Sequence, residues 1–86
     1  MKVYFGTAGL HHTWQSEFPE NTDCVHCDGT SRIAFVAHEG QGGEMYVCQL
    51  HKNEPKGEGF WLHDAGAFAT YLCKKCLKPT TLYNQA

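Results

Sequence analysis

The chain has 86 residues, a mass of 9.7 kDa and a formal net charge of −2, which predicts a single small domain spanning 1–86. It lacks the basic excess of a general nucleic-acid-binding protein, and its apolar stretches are shorter than the ~18–20 residues of a membrane span. A core of this size contributes only ~3–5 kcal/mol, so the five cysteines and six histidines predict a metal or disulfide constraint.

The first quarter of the chain predicts one strand followed by irregular structure. Residues 1–5 alternate in polarity and are followed by Gly6, which predicts a short strand that ends there. Residues 10–23 have no steady period and end in the turn-like sequence Glu-Asn-Thr-Asp, so we expect an ordered loop. The N-terminus does not resemble a secretory signal, which favours a cytoplasmic protein.

The strongest strand signal lies in the middle of the chain, at 32–38. The glycine-rich run at 40–43 can supply positive φ angles, which predicts a hairpin that pairs 32–38 with 44–50. In that register Cys48 stands opposite Phe35. The predicted core face of the hairpin consists of Ile33, Phe35, Ala37, Tyr46, Cys48 and Leu50.

Two further strands are predicted near the C-terminus. Residues 65–72 fit both helical and alternating spacing, but their glycine, threonine and tyrosine favour a strand. Residues 80–83 could add an edge strand. The sequence therefore predicts a small, mainly-β, metal-stabilised fold with an antiparallel sheet.

Four of the cysteines form two C-x-x-C pairs, Cys24/Cys27 and Cys73/Cys76, separated by 45 residues. Two intervening residues allow a tight turn to direct both sulfur atoms at one ion about 2.3 Å away. In a reducing compartment such pairs bind metal more often than they form disulfides. The pattern predicts a closed four-thiolate site, with one Zn²⁺ per chain as the default ion and iron as the competitor.

These two cysteine pairs, called knuckles below, resemble those of the zinc-ribbon and rubredoxin-like group of small folds over residues 24–83. The resemblance implies a sheet with both knuckles at one end. Many members of the group carry a glycine after the second cysteine of a knuckle, whereas this chain has Leu77-Lys78-Pro79 there. That departure disfavours an iron-type electron carrier more than a zinc site.

The charges near the knuckles are complementary. The second knuckle carries three lysines and the first is flanked by two aspartates, so pairing the knuckles brings opposite charges together beside a site of charge −2. The alternative is that the lysines form an ordinary solvated face. The charged residues are Asp23, Asp28, Lys74, Lys75 and Lys78.

The fifth cysteine, Cys48, is predicted to be a buried free thiol. Its C-x-x-H spacing to His51 is the one indication of a second metal site, which His38 or His63 would have to complete. His38 is the weaker candidate, because it lies on the other face of the predicted hairpin.

Two classes of function fit the sequence. In the first, a structural zinc stabilises a binding module that contacts an unidentified protein or, with less support, nucleic acid. In the second, a rubredoxin-like iron site carries electrons. An enzyme is not expected, because a closed metal site offers no open coordination position. Core packing or a contact patch would each explain the large aromatic residues Trp14, Phe60 and Trp61.

Overall fold

The computed structural model describes residues 2–13, 15–38 and 66–85, which form an antiparallel sheet and almost no helix. The strands are β1 (Lys2–Phe5), β2 (Asn21–Asp23), β3 (Thr30–His38), β4 (Gly66–Cys73) and β5 (Pro79–Gln85), and a 3-10 turn spans Gly6–Gly9. The predicted mainly-β class is therefore confirmed, as are the strands predicted at 1–5, 32–38, 65–72 and 80–83. Within the described ranges, no helix is long and apolar enough to cross a membrane.

The central strands of the sheet are β3 and β4, and β5 pairs with the outer edge of β4. Both β1 and β2 pair with the other edge of β3, where β1 covers 35–38 and β2 covers 30–32. They run in the same direction along one line. Residues 6–20, called the excursion below, leave this line after β1 and return to it at β2.

The predicted hairpin between 32–38 and 44–50 is wrong. Phe35 has Phe5 as its neighbour on one edge of β3 and Thr70 on the other, so no edge is left there for Cys48. The pairing with β4 prevails over the local glycine-rich signal. Residues 44–50 themselves lie outside the described part of the chain.

A β-bulge also changes which side chains of β3 face the core. The register with β4 shifts between Ile33 and Phe35, so that one extra residue reverses the alternation along the strand. Ile33 and Val36 both lie in the core cluster, whereas Phe35 lies on the opposite face against Phe68. The prediction was right for Ile33. It was wrong for Phe35, which is only half-buried on the opposite face. Ala37 is buried as predicted, but it shares that face with Phe35.

The excursion covers one face of the sheet and completes the core. The cluster of buried residues comprises Phe18, Ile33, Val36, Ala67, Ala69 and Tyr71, with Leu10 and Leu82 packed against it. The Tyr71 hydroxyl donates a hydrogen bond to the Pro19 carbonyl oxygen at 2.7 Å. The Asn84 amide donates to Thr13 Oγ1 at 3.0 Å and to the Ser16 carbonyl oxygen at 3.1 Å. These contacts satisfy polar groups that would otherwise be costly to bury.

The prediction of a loop at 10–23 is correct for the described residues of 10–20, which belong to the excursion, but not for 21–23. Asn21, Thr22 and Asp23 are turn-forming residue types, yet they form β2 against β3. The neighbouring Glu20 strengthens this attachment, because its carbonyl oxygen accepts from the Ile33 N–H at 3.0 Å and its carboxylate pairs with Arg32 at 2.9 Å. Tertiary pairing outweighs local propensity here.

The face of the sheet opposite the excursion is apolar. Cross-strand pairing places Val3, Ala37, Phe68 and Tyr83 in one row across four strands. We call this surface the apolar face; its large side chains are Val3, Phe5, Phe35, Phe68, Leu72 and Tyr83. Phe5 has 78% of its side chain exposed, and Val3, Leu72 and Tyr83 are about half exposed.

Candidate metal centre

The two knuckles meet at one end of the sheet, as the sequence predicts. Cys24 directly follows β2, and Cys73 is the last residue of β4. Cys73 pairs across the sheet with Ser31, near the start of β3, and the Lys74 N–H donates to the Thr30 carbonyl oxygen at 3.1 Å. The β3–β4 ladder therefore carries the second knuckle to the position of the first.

All four knuckle sulfur atoms lie within 4.8 Å of one another, so the cysteines could hold a metal ion. The Sγ atoms of Cys24 and Cys76 are 3.6 Å apart, and those of Cys27 and Cys73 are 3.5 Å apart. A tetrahedral ion with sulfur bonds of 2.3 Å would separate its ligands by about 3.8 Å. The cluster therefore has nearly the dimensions of a tetrahedral site, and the residues present fit such an ion.

Backbone N–H groups point at the sulfur atoms, which favours their ionised form. The donors are the N–H groups of His26 to Cys24 Sγ at 3.3 Å, Gly29 to Cys27 Sγ at 3.2 Å, and Lys75 and Cys76 to Cys73 Sγ at 3.3 and 3.4 Å. In each knuckle the turn folds its own backbone over the first sulfur, and in the first knuckle Gly29 also donates to the second sulfur, that of Cys27.

Without a metal, the four thiols do not ionise equally. Hydrogen bonds from the N–H groups of Cys76 and Lys75 lower the pKa of Cys73 to about 6. The Gly29 N–H lowers the pKa of Cys27, but burial and the neighbouring thiols raise it to about 12 overall. Close thiolates repel one another, so a cation is needed for all four to be ionised together.

Gly29 lies where the two knuckles approach most closely. A Cβ atom at this position would be 2.9 Å from the Cys73 sulfur, 3.0 Å from Lys75 Cβ and 3.2 Å from the Cys27 sulfur. The Asp28-Gly29 pair after Cys27 predicts a turn in the first knuckle. It does not predict the close approach of Gly29 to a sulfur atom of the other knuckle.

The first knuckle is also attached to β5. The Val25 N–H donates to Thr80 Oγ1 at 3.1 Å, and a ring nitrogen of His26 donates to the Pro79 carbonyl oxygen at 2.9 Å. Thr80 is buried, and its hydroxyl satisfies the Val25 N–H group, whose burial without a hydrogen bond would be costly. No local sequence signal identifies Thr80, because its partner is 55 residues away.

One of the predicted charge pairings between the knuckles is present. Lys75 Nζ lies 2.7 Å from Asp28 Oδ1. Both side chains are largely exposed, so the pair adds little to the free energy of unfolding. The other lysines of the second knuckle, Lys74 and Lys78, are exposed.

Leu77 occupies the backbone conformation that a glycine would favour. Its φ angle is 64°, and it is the one non-glycine residue with positive φ in the described ranges. The Leu77 N–H donates to the Cys73 carbonyl oxygen at 3.1 Å, which closes the turn of the second knuckle. The turn of the second knuckle therefore closes with a leucine in this conformation, at a cost in backbone strain of about 1–2 kcal/mol.

The predicted second metal site remains a prediction. Cys48, His51 and His63 lie outside the described part of the chain. His38 is described and ends β3, at the opposite end of that strand from the knuckles.

Comparison of the chain with protein-family models, with curated proteins and with solved structures found no match.

Replacing Gly29 with alanine should weaken metal binding by about tenfold or more, because the new methyl group would displace the Cys73 sulfur. Competition with a chelator of known affinity measures this directly. Asp28→Ala is the matched control, since that side chain is exposed and pairs with Lys75 at the surface, so its loss should change affinity by less than about threefold. Equal affinities for Gly29→Ala and the parent chain would contradict the proposed crowding.

Replacing Leu77 with glycine should increase the free energy of unfolding by about 0.5–1 kcal/mol, because strain is relieved at a side chain that is 75% exposed. Denaturant unfolding at saturating metal gives the value. Val25 is a matched control, since it is 72% exposed in the other knuckle without a positive φ. Val25→Gly should be destabilising, and a similar loss in both variants would refute the argument.

Proposed function

We propose that this protein is a zinc-stabilised β module in which the ion is structural. The observation that carries the proposal is the convergence of four thiols, two of them buried, with backbone N–H groups directed at Cys24, Cys27 and Cys73. Four thiolates complete a tetrahedral zinc and leave no open coordination position for a substrate. Zinc is the ordinary ion for tetrahedral sulfur.

The zinc has a clear energetic role in a chain of this size. Among the described residues, the core cluster contains three alanine or valine side chains and two aromatic ones, and burial in a domain of this size contributes modestly. A metal that binds only the folded site adds its binding free energy to that of folding. The site also joins the segment that follows β2 to the end of β4, at one end of the sheet.

Protein purified without added metal should contain one zinc per chain, and a chelator should unfold it. Cys→Ser at any of the positions 24, 27, 73 and 76 should do the same, since three ligands hold the ion far more weakly. Elemental analysis and circular dichroism provide the measurements. Cys48→Ala is the matched control and should retain the zinc.

Three outcomes would contradict the proposal in different ways. Iron in the purified protein, with visible thiolate-to-iron absorption, would favour the electron-carrier alternative. Two zinc ions per chain, or loss of metal in Cys48→Ala, would indicate the second site. A chain that stays folded with all four thiols free would remove the structural role of the metal.

We further propose that the module binds another protein through the apolar face. Its support is the row of apolar side chains across four strands together with the 78% exposure of Phe5. Exposed contiguous apolar surface of this kind is typical of protein contacts.

A net charge of −2 and a single arginine, Arg32, disfavour a nucleic-acid partner, because phosphate binding draws on several basic side chains.

A photo-reactive amino acid placed at Phe5 should form a discrete adduct with a second protein in cells. The same amino acid at Gln15, which is exposed on the excursion, is the matched control and should form none. Gel analysis with nuclease and protease treatment identifies the class of the adduct. Adducts with nucleic acid, or equal adduct formation from both positions, would contradict the proposed surface.

A further inference from the structure

Three histidines gather at the end of β3 that lies away from the knuckles. The His12 ring stacks on Tyr4, with ring centroids 3.9 Å apart and planes 9° from parallel. The His11 centroid is 4.2 Å from that of His12, and the His38 centroid is 5.9 Å from it. His12 is therefore the central ring of a cluster formed by β1, β3 and the excursion.

This cluster differs in chemistry from the cysteine site. In the described ranges, only the four cysteines bring three or more ligand atoms within 4.8 Å of one another, so the imidazoles do not form a ready metal site. Histidine is the side chain whose charge ordinarily changes between pH 5 and 8. Stacked imidazoles that acquire protons repel one another, and Lys2 of β1 adds a further positive charge beside His12.

The residues around His12 attach the excursion to the sheet. The His12 N–H donates to the Gly9 carbonyl oxygen at 2.9 Å. Gly9 is buried so closely against the sheet that a Cβ atom would be 2.7 Å from Tyr4 Cβ and 2.8 Å from Val36 Cβ. Leu10 follows and packs against the core. A change in charge at His12 therefore acts where the excursion first covers the core.

We propose that the cluster of His11, His12 and His38 is an acid-sensitive latch, which releases residues 6–13 from β1 and β3 on proton uptake while the knuckle end stays folded.

The direction of the effect follows from proton linkage. Partial burial, followed by the charges of His11, His38 and Lys2, lowers the pKa of His12 below 6.5 in the docked state. The released segment, whose histidine returns to its ordinary pKa, binds more protons, so docking is weakened as pH falls. The contribution of His12 is fully present above about pH 6.5 and is lost as pH falls towards the lowered value. The described groups that face His12 are Tyr4 and Lys2 from β1, His38 from β3 and the adjacent His11.

Amide hydrogen exchange of the full-length, metal-loaded protein tests the latch between pH 7.5 and 5.5. After correction for intrinsic rates, protection of the Leu10, His12 and Phe18 amides should fall severalfold and by no more than about tenfold, because their bonds lie within or against the released segment and one proton is taken up at His12. The Cys24 and Lys74 amides, which are bonded at the knuckle end, should keep their protection and report that the metal is retained.

His12→Phe keeps an aromatic ring on Tyr4 but cannot be protonated, so protection at Leu10 and Phe18 should become independent of pH. His38→Gln removes one repulsive neighbour and should reduce the fall in protection. The ring signals of His12 in the unmodified chain add a test that needs no variant: an apparent pKa at or above 6.5 would overturn the proposal. The same pH dependence in His12→Phe and the parent chain would also overturn it, as would simultaneous loss of protection at both ends.

Discussion

The structure depends on the antiparallel ladder between β3 and β4, because this ladder brings together two knuckles that are 45 residues apart in the sequence. The pairing of Ser31 with Cys73 places the end of β4 beside the start of β3, where the first knuckle precedes the strand. Neither knuckle can provide more than two sulfur ligands by itself. Sheet pairing therefore assembles a site that could hold a metal ion, and an ion bound there would in turn stabilise the sheet pairing.

The bulge in β3 changes which side chains of the strand face the core and which lie on the apolar face. Before the bulge, the core face of β3 carries Ser31 and Ile33, next to the knuckles. After it, Val36 lies in the core cluster and Phe35 lies on the apolar face. A strand without the extra residue would place Phe35 in a core that is already filled by Phe18 and Tyr71. The bulge thus leaves a small core beneath the excursion and an aromatic surface on the other side.

The sequence was sufficient to predict four of the five described strands and the convergence of the four sulfur atoms, because both signals are local. Local sequence patterns indicated β1, β3, β4 and β5, and the C-x-x-C spacing indicated the knuckles. The partner of β3 could not be predicted, since a glycine-rich turn next to Met45-Tyr46-Val47 is a stronger local signal than the distant β4. For the same reason Thr80 and the contacts of Gly29 were missed. Their roles arise from atoms that meet only in the folded chain.

One edge of the sheet is built in two pieces, with β1 and β2 in line along β3 and the excursion between them. The two pieces are attached by different means. β2 runs directly into a cysteine knuckle, whereas β1 is followed by a turn that packs on apolar and aromatic side chains. Tension on the N-terminus would therefore peel away the four residue pairs of β1 and then meet a much stiffer element at the knuckle. Under tension, β1 therefore detaches from this edge at a lower force than β2.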